Sequence, residues 1–204
     1  MLYDIAFPLS ARTMIYDGDP PFCREVLLDT AKGDLCTLSL CHFGSHLGTH
    51  IDFPRHFFSS GSDAATFPLE RLCGSAKVFC LHGISRIQRA DLERLDIQLG
   101  DRVLLRTDND GFDGVHPLPH PVYLDADGAA YLVERQVALV GIDYESPEED
   151  NGSFPVHRML LGAGIPILEH LRLSHVPEGT YRLYCLPLAL EGGDASWVRP
   201  ILER

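Results

Sequence analysis

The chain has 204 residues, of which 45% are hydrophobic and 23% are charged. This composition is ordinary for a globular protein and excludes a fibrous or wholly disordered chain. Its 17 basic and 29 acidic residues give a formal net charge of −12 at pH 7, which repels phosphate backbones and anionic lipid. We therefore expect one domain over residues 1–204, with neither nucleic acid nor a membrane as its partner.

The N-terminal segment and the cysteines both indicate a reducing compartment. Residues 1–8 contain no basic stretch followed by a long apolar run, so the sequence predicts no secretory signal. The 6 cysteines include no C-x-x-C pair, and we predict reduced thiols, most of them in the core as small hydrophobic residues. A cytoplasmic location is the expectation that follows.

In chain order, short apolar runs alternate with short amphipathic segments. Strands are predicted over residues 23–28, 35–43, 77–81, 103–105, 137–142 and 181–190. Helices are predicted over residues 90–95 and 130–136. Residues 108–127 are rich in Asp, Gly, Pro and His and are predicted to form a long surface loop, with His116 and His120 exposed. The alternation of strands and helices indicates the α/β class.

Three histidines and one aspartate occur close together, at His46, His50, Asp52 and His56. All the gaps between them are even, and in extended backbone residues an even number apart point to the same side. Imidazole nitrogen and carboxylate oxygen suit zinc, iron or manganese, and such a run leaves coordination positions open for water. The pattern predicts a divalent metal site. His42, also at an even offset, lies in an apolar strand and is predicted to be a core histidine.

The run His-Leu-Gly-Thr-His-Ile-Asp-Phe-Pro-Arg-His, residues 46–56, closely resembles the H-x-G-T-H-x-D-x-P-x-H signature of the metal-dependent cyclase family. That family includes bacterial kynurenine formamidases and isatin hydrolases. Residues 14–20, 140–146 and 186–196 also resemble family segments. The resemblance implies an α/β fold with a mixed β-sheet of the swivelling β/β/α type, and assembly as a homodimer or homotetramer.

A further segment, residues 157–169, resembles a family motif whose histidine and glutamate bind metal. The resemblance implies that His46, His50 and Asp52 hold one ion, and that His157 and Glu169 hold a second. A mononuclear site, with the last two residues only supporting the ligands, stays open. We expect one or two zinc or manganese ions per subunit, since the ligand types do not choose among zinc, manganese and iron.

By the same resemblance, His56 is a general acid/base, and the reaction is hydrolysis of a small amide by metal-activated water. The sequence contains neither a G-x-S-x-G elbow nor an H-E-x-x-H helix, which argues against a serine hydrolase and a zincin. Two alternatives stay open: opening of a cyclic amide, as in isatin hydrolases, and a non-catalytic metal- or ligand-binding protein. The presence of His56 argues against the second, because a binding site needs no proton shuttle.

The resemblance also implies the substrate class, most specifically an aryl formamide such as N-formylkynurenine. Tyr16 stands where kynurenine formamidases usually have tryptophan, and its ring can still stack on an aryl substrate. We therefore expect Tyr16 to bind the substrate. Phe53, Phe57 and Phe58 flank the metal motif, and the sequence leaves both a pocket and a core position open for each.

Overall fold

The computed structural model describes residues 1–204, whose alternating strands and helices form a large mixed sheet with helices packed against it. Thirteen strands form: β1 (Leu2–Asp4), β2 (Cys23–Leu28), β3 (Leu38–His42), β4 (His50–Asp52), β5 (Gly74–Leu81), β6 (Arg86–Ile87), β7 (Arg102–Thr107), β8 (Tyr123–Leu124), β9 (Leu139–Ile142), β10 (Ile167–Glu169), β11 (Gly179–Tyr184), β12 (Ala195–Trp197) and β13 (Ile201–Glu203). Four α-helices form: α1 (Leu69–Leu72), α2 (Arg89–Leu92), α3 (Ala126–Glu134) and α4 (Pro155–Gly162). None of these helices has the length and apolar character needed to cross a membrane.

Nine of the strands form one mixed sheet in the order β1-β13-β11-β5-β7-β9-β10-β4-β12. Strands β5, β7, β9 and β10 are parallel neighbours, whereas β4 and β12 at one side and β11, β13 and β1 at the other are antiparallel. The parallel centre accounts for the continuous apolar runs of β7 and β9, because strands that are covered on both faces show little alternation between apolar and polar residues. The predicted α/β class with a mixed sheet is confirmed.

Alternate residues of the central strands pack into two separate hydrophobic cores, one on each face of the sheet. On one face, Val78 and Leu104 pack with Ile51 and other residues from the strands that flank the centre. On the other face, the intervening residues such as Leu105 pack against helices α2, α3 and α4. The sheet therefore holds β4 and β10 rigidly between two apolar layers, and these two strands carry the site described below.

Strands β2 and β3 pair only with each other and form a hairpin that stands away from the main sheet. Every residue of β2 is exposed. The prediction that His42 is a core histidine is wrong, because it lies on this hairpin and is exposed. The prediction that most cysteines are core residues is also wrong: all are free thiols, but only Cys185 is buried.

The predicted loop over residues 108–127 is more ordered than its composition indicates. It contains a 3-10 turn over Asp108–Gly111 and the short strand β8. The Asn109 side chain donates to the carbonyl of Val122 at 3.0 Å and accepts from its N–H at 2.8 Å, which ties the two ends together. His116 and His120 are exposed, as predicted. Polar composition alone does not reveal this tie, because it is made by one buried amide.

Candidate metal centre

Strands β4 and β10 place the first ligand candidates opposite one another. The antiparallel register pairs His50 with Glu169 and Asp52 with Ile167. Because residues two apart on a strand share a face, His50, Asp52 and Glu169 all point to the same side. Nε2 of His50 lies 3.2 Å from Oδ1 of Asp52 and 3.1 Å from Oε2 of Glu169. Three ligand types therefore meet at the end of one strand pair.

His46 reaches this locus through a turn, not along an extended strand. Gly48 has φ +66, and a Cβ at that position would lie 2.4 Å from a methyl carbon of Leu9. Only glycine fits this turn, which brings Nδ1 of His46 to 3.2 Å from Nε2 of His50 and 3.0 Å from Oδ1 of Asp52. The even-spacing argument for extended backbone thus applies to His50 and Asp52, which lie on β4, and His46 joins them through the turn.

His56 follows β4 on a 3-10 turn over Pro54–His56. Its ring centroid lies 4.1 Å from that of His46, and its Nε2 lies 3.9 Å from Oδ2 of Asp52. The side chain is 29% exposed, whereas Asp52 beside it is 1% exposed. His56 is therefore both next to the buried carboxylate and open to the cavity in front of it.

Helix α4 supplies His157 from its first turn. The helix begins after Phe154, which adopts the left-handed conformation with φ 49, and Pro155 occupies the first helical position. Nε2 of His157 lies 3.2 Å from Oε1 of Glu169 and 3.7 Å from Oδ2 of Asp52. The two oxygens of Asp52 thus face different groups: Oδ1 faces His46 and His50, and Oδ2 faces His56 and His157.

The chemistry of this donor set fits a divalent cation. Asp52 is fully buried, and its carboxylate oxygens make no well-aligned hydrogen bond, although ring nitrogens of His46 and His50 lie 3.0 and 3.2 Å from Oδ1. A buried carboxylate needs a partner of opposite charge, and a bound cation would supply one. Two overlapping groups have ligand atoms within 4.8 Å of one another: His50, Asp52 and Glu169, and His46, Asp52 and His56. Imidazole and carboxylate ligands suit zinc and manganese alike.

The charges of the cluster depend on one another. Burial by itself would lower the pKa of His46, but Asp52 and Asp194 outweigh burial and raise that pKa to about 9. Burial would also lower the pKa of His157, but the carboxylates of Glu148 and Glu169 outweigh burial and raise that pKa to about 10. Without a cation, the imidazoles therefore hold protons that balance the carboxylates, and a metal ion would replace them.

Two further acids hold the imidazoles in place, and the spacing analysis missed both as site residues. Glu148 accepts a hydrogen bond from Nδ1 of His157 at 2.6 Å and also accepts from the backbone N–H of His157 at 2.9 Å. Asp194 lies 2.9 Å from Nε2 of His46 and 3.7 Å from Nδ1 of His56. Asp194 falls within a segment, 186–196, that the sequence analysis had singled out, but nothing in its spacing indicated this contact.

The cluster lies at the base of a cavity of about 500 Å³, whose walls include Tyr16, Phe57 and Phe154. The hydroxyl of Tyr16 is buried beside Asp150, and burial together with this carboxylate raises its pKa. Of the three phenylalanines that flank the metal motif, only Phe57 lines this cavity. Phe53 is fully buried in the first core, and Phe58 packs against the second. A larger cleft, of about 610 Å³, lies elsewhere and contains no histidine.

Comparisons with known proteins agree with this geometry. Residues 3–149 match the family model described as "Putative cyclase". A kynurenine formamidase of Bacillus mycoides (strain KBAB4) is 34% identical over 203 residues, which cover 98% of this chain and 96% of the relative. A solved structure described as a potential metal-dependent hydrolase with cyclase activity is 35% identical, with a TM-score of 0.86 over 99% of this chain and 96% of its own.

An isatin hydrolase bound to a product analogue also shares the fold, with a TM-score of 0.82 and 21% identity over 98% of this chain and 91% of its own. The fold and the carboxylate–imidazole centre define a metal-dependent hydrolase. The chain belongs to the cyclase family.

Proposed function

We propose that the protein hydrolyses a small amide, most specifically an aryl formamide such as N-formylkynurenine. The observation that carries this proposal is the position of His56. Its side chain is 29% exposed beside a cavity with aromatic walls, and its Nε2 lies 3.9 Å from the buried carboxylate of Asp52. The whole-chain similarity to a kynurenine formamidase supports the same substrate class. The isatin hydrolase likeness supports the fold only.

The residues that would hold one or two zinc or manganese ions are His46, His50, Asp52, His157 and Glu169. A divalent cation at this position supplies Lewis acidity and makes water a stronger nucleophile near neutral pH. Asp52 would contribute to holding the metal from either side, because its two oxygens face different imidazoles. The chain itself supplies the orientation of these ligands through Glu148 and Asp194.

His56 acts in the proposed reaction as the general acid/base. It takes a proton from the attacking water and donates it to the departing nitrogen, a role suited to an imidazole. Asp194, 3.7 Å from its Nδ1, orients the ring so that Nε2 faces the reacting atoms. Phe57 and Phe154 would pack against the aryl ring, and the hydroxyl of Tyr16 would bind a polar group of the substrate.

Kinetics with purified protein test this proposal. We expect hydrolysis of N-formylkynurenine that is abolished by a chelator and restored by zinc or manganese. His56→Ala should keep its metal, measured by elemental analysis, and lose at least about a hundredfold in kcat. If the protein opens isatin in a chelator-sensitive way and does not hydrolyse N-formylkynurenine, a cyclic amide is the substrate instead. Metal binding without any turnover would indicate a non-catalytic binding protein. His120→Ala, an exposed histidine away from the cavity, is the matched control.

We also propose a homodimer or homotetramer in which a second copy covers the β2–β3 hairpin. An isolated two-stranded hairpin is marginal in water, and this one exposes apolar side chains on both faces. These residues are Val26, Leu27, Leu28, Leu38 and Leu40. Light scattering should give twice or four times the 22.7 kDa chain mass, and the Leu40→Glu substitution should lower the measured mass. A monomer at micromolar concentration would contradict this assembly.

The free thiols support a reducing, cytoplasmic location, which we likewise propose. All 6 cysteines are free, and Cys23, Cys36 and Cys41 are exposed. Exposed thiols persist where glutathione and thioredoxin keep them reduced. Fractionation of the native host with an antibody should place the protein in the cytosolic fraction, and recovery in an oxidising compartment would contradict the proposal.

A further inference from the structure

One arginine side chain, that of Arg158, lies at the exposed edge of the candidate active site. Among the residues that line the cavity, Arg158 is the only lysine or arginine. Apart from the histidines, the other ionisable residues of the lining are acids, and they include Asp19 and Glu145 outside the metal centre. Away from the metal centre, an anionic group on a substrate would therefore find its positively charged partner in this cavity at Arg158.

Arg158 is available to bind a ligand. The only hydrogen bond of its side chain within the protein joins Nε to the carbonyl of Ser153 at 3.2 Å. Its two terminal amino groups make no hydrogen bond, and no carboxylate lies within ion-pair distance. Structural arginines of this protein are paired differently: Arg106, for example, binds Asp110, and Arg102 donates to three backbone carbonyls.

The position of Arg158 is fixed relative to the reacting group. Its guanidinium lies over the ring of Phe57, 5.1 Å from the ring centroid. The same ring also neighbours His56, 4.6 Å away between centroids, and His157, 5.4 Å away. Phe57 is thus a common neighbour of the Arg158 guanidinium and the two imidazoles. A substrate whose aryl ring packs along Phe57, with its amide at His56, would extend its other end to Arg158.

We propose that Arg158 binds an ionised carboxylate on the substrate and makes the enzyme selective for aryl amides that carry one. The inference rests on the proposed amide hydrolysis and adds the substrate feature that is recognised. The guanidinium offers two parallel N–H donors, which match the two oxygens of a carboxylate. Arg158 is a specificity residue in this scheme, since it touches the substrate away from the amide that reacts.

The test compares substrates with and without the carboxylate. We expect Arg158→Gln to raise KM for N-formylkynurenine about tenfold, with kcat within about twofold of the original. Formanilide, a neutral aryl formamide, should be hydrolysed equally by both proteins. Arg158→Lys should fall between them, because it keeps the charge and loses the paired donors. Arg94→Gln, which removes another exposed positive charge far from the cavity, is the matched control.

Two results would overturn the inference. An equal loss on both substrates would show that Arg158 only shapes the cavity, and an unchanged KM for N-formylkynurenine would show that it does not bind the carboxylate. If the unaltered protein hydrolyses neither substrate, the proposed function fails, and calorimetry then tests the carboxylate site separately. Kynurenine should bind more tightly than kynurenine methyl ester, which lacks the charge, and Arg158→Gln should remove that difference; equal binding of both would refute the site.

Discussion

The carboxylate of Glu148 accepts a hydrogen bond from Nδ1 of His157 at 2.6 Å, and both residues are about 95% buried. The same carboxylate accepts from the backbone N–H groups of Val156 and His157 at the start of α4. One side chain therefore begins the helix and orients an imidazole on it. With Nδ1 occupied, Nε2 of His157 faces Glu169 and Asp52, where a metal ligand is needed.

Replacing Glu148 by glutamine should weaken metal binding. The amide keeps one acceptor, but it loses the charge that fixes the imidazole, and such changes typically cost about 10- to 100-fold in metal affinity. Competition with a chromophoric chelator gives the affinity directly. Glu149→Gln, one residue further along and exposed, is the control. Equal affinities for the two variants would remove Glu148 from the metal site.

Asp194 joins two histidines with different proposed roles, since it lies 2.9 Å from His46 and 3.7 Å from His56. The hydrogen bond with His46 and the nearby imidazole of His56 hold the pKa of this carboxyl far below its usual range. We expect Asp194→Asn to lower kcat by about tenfold or more, because His56 loses the group that orients it.

Steady-state kinetics and elemental analysis together separate the two roles of Asp194. A fall in kcat with full metal content places its effect on His56, and a loss of metal places it on His46. Glu191→Gln, an exposed acid in the same segment, should leave both unchanged. An Asp194→Asn protein with normal kcat and normal metal content would contradict both roles.

The turn at Gly48 should tolerate no side chain. A Cβ there would lie 2.4 Å from Leu9, whereas Gly83 has a similar φ of +75 and no atom within 4 Å. Gly83→Ala should cost about 1 kcal/mol from backbone strain alone. Gly48→Ala should cost about 2–3 kcal/mol, since steric overlap adds to that strain, and it should also weaken metal binding through His46 and His50. Urea denaturation of both variants measures the difference, and equal losses would show that the contact with Leu9 is relieved without cost.

Asp143 should make stability depend on pH. Burial raises its pKa to about 6, although Thr107 donates two hydrogen bonds to its carboxylate. The folded protein therefore binds this proton more tightly than the unfolded chain does. The resulting stabilisation is complete below about pH 4 and is lost as pH rises through 6.

Urea denaturation at pH 5 and pH 7 tests this dependence on Asp143. We expect the original protein to lose more stability between the two pH values than Asp143→Asn, whose amide does not titrate. The variant should also be less stable by about 1–3 kcal/mol overall, because one donor of Thr107 loses its acceptor. Asp127→Asn, in the first turn of α3, is the control, and parallel pH profiles for the Asp143 variant and the original protein would contradict the assignment.

Much of this molecule was predictable from local pattern. The apolar runs predicted the central strands, because burial on both faces of a sheet requires them. The run from His46 to His56 predicted a group of metal-binding residue types, since four such side chains within eleven positions have few other uses. His157 and Glu169 came only from a family resemblance, because a gap of twelve residues does not by itself bring a helix and a strand together.

What only the tertiary structure decided are the contacts between distant segments. Sheet register sets Glu169 opposite His50, and the fold brings Asp194 to His46 across 148 residues of chain. The surroundings of His42 and the cysteines were misjudged for the same reason: an apolar run can pack in a core or stand exposed on a hairpin. Sequence thus determined which chemical groups are present and how neighbouring ones are spaced. Packing alone determined which groups meet, because burial and long-range pairing depend on the whole chain.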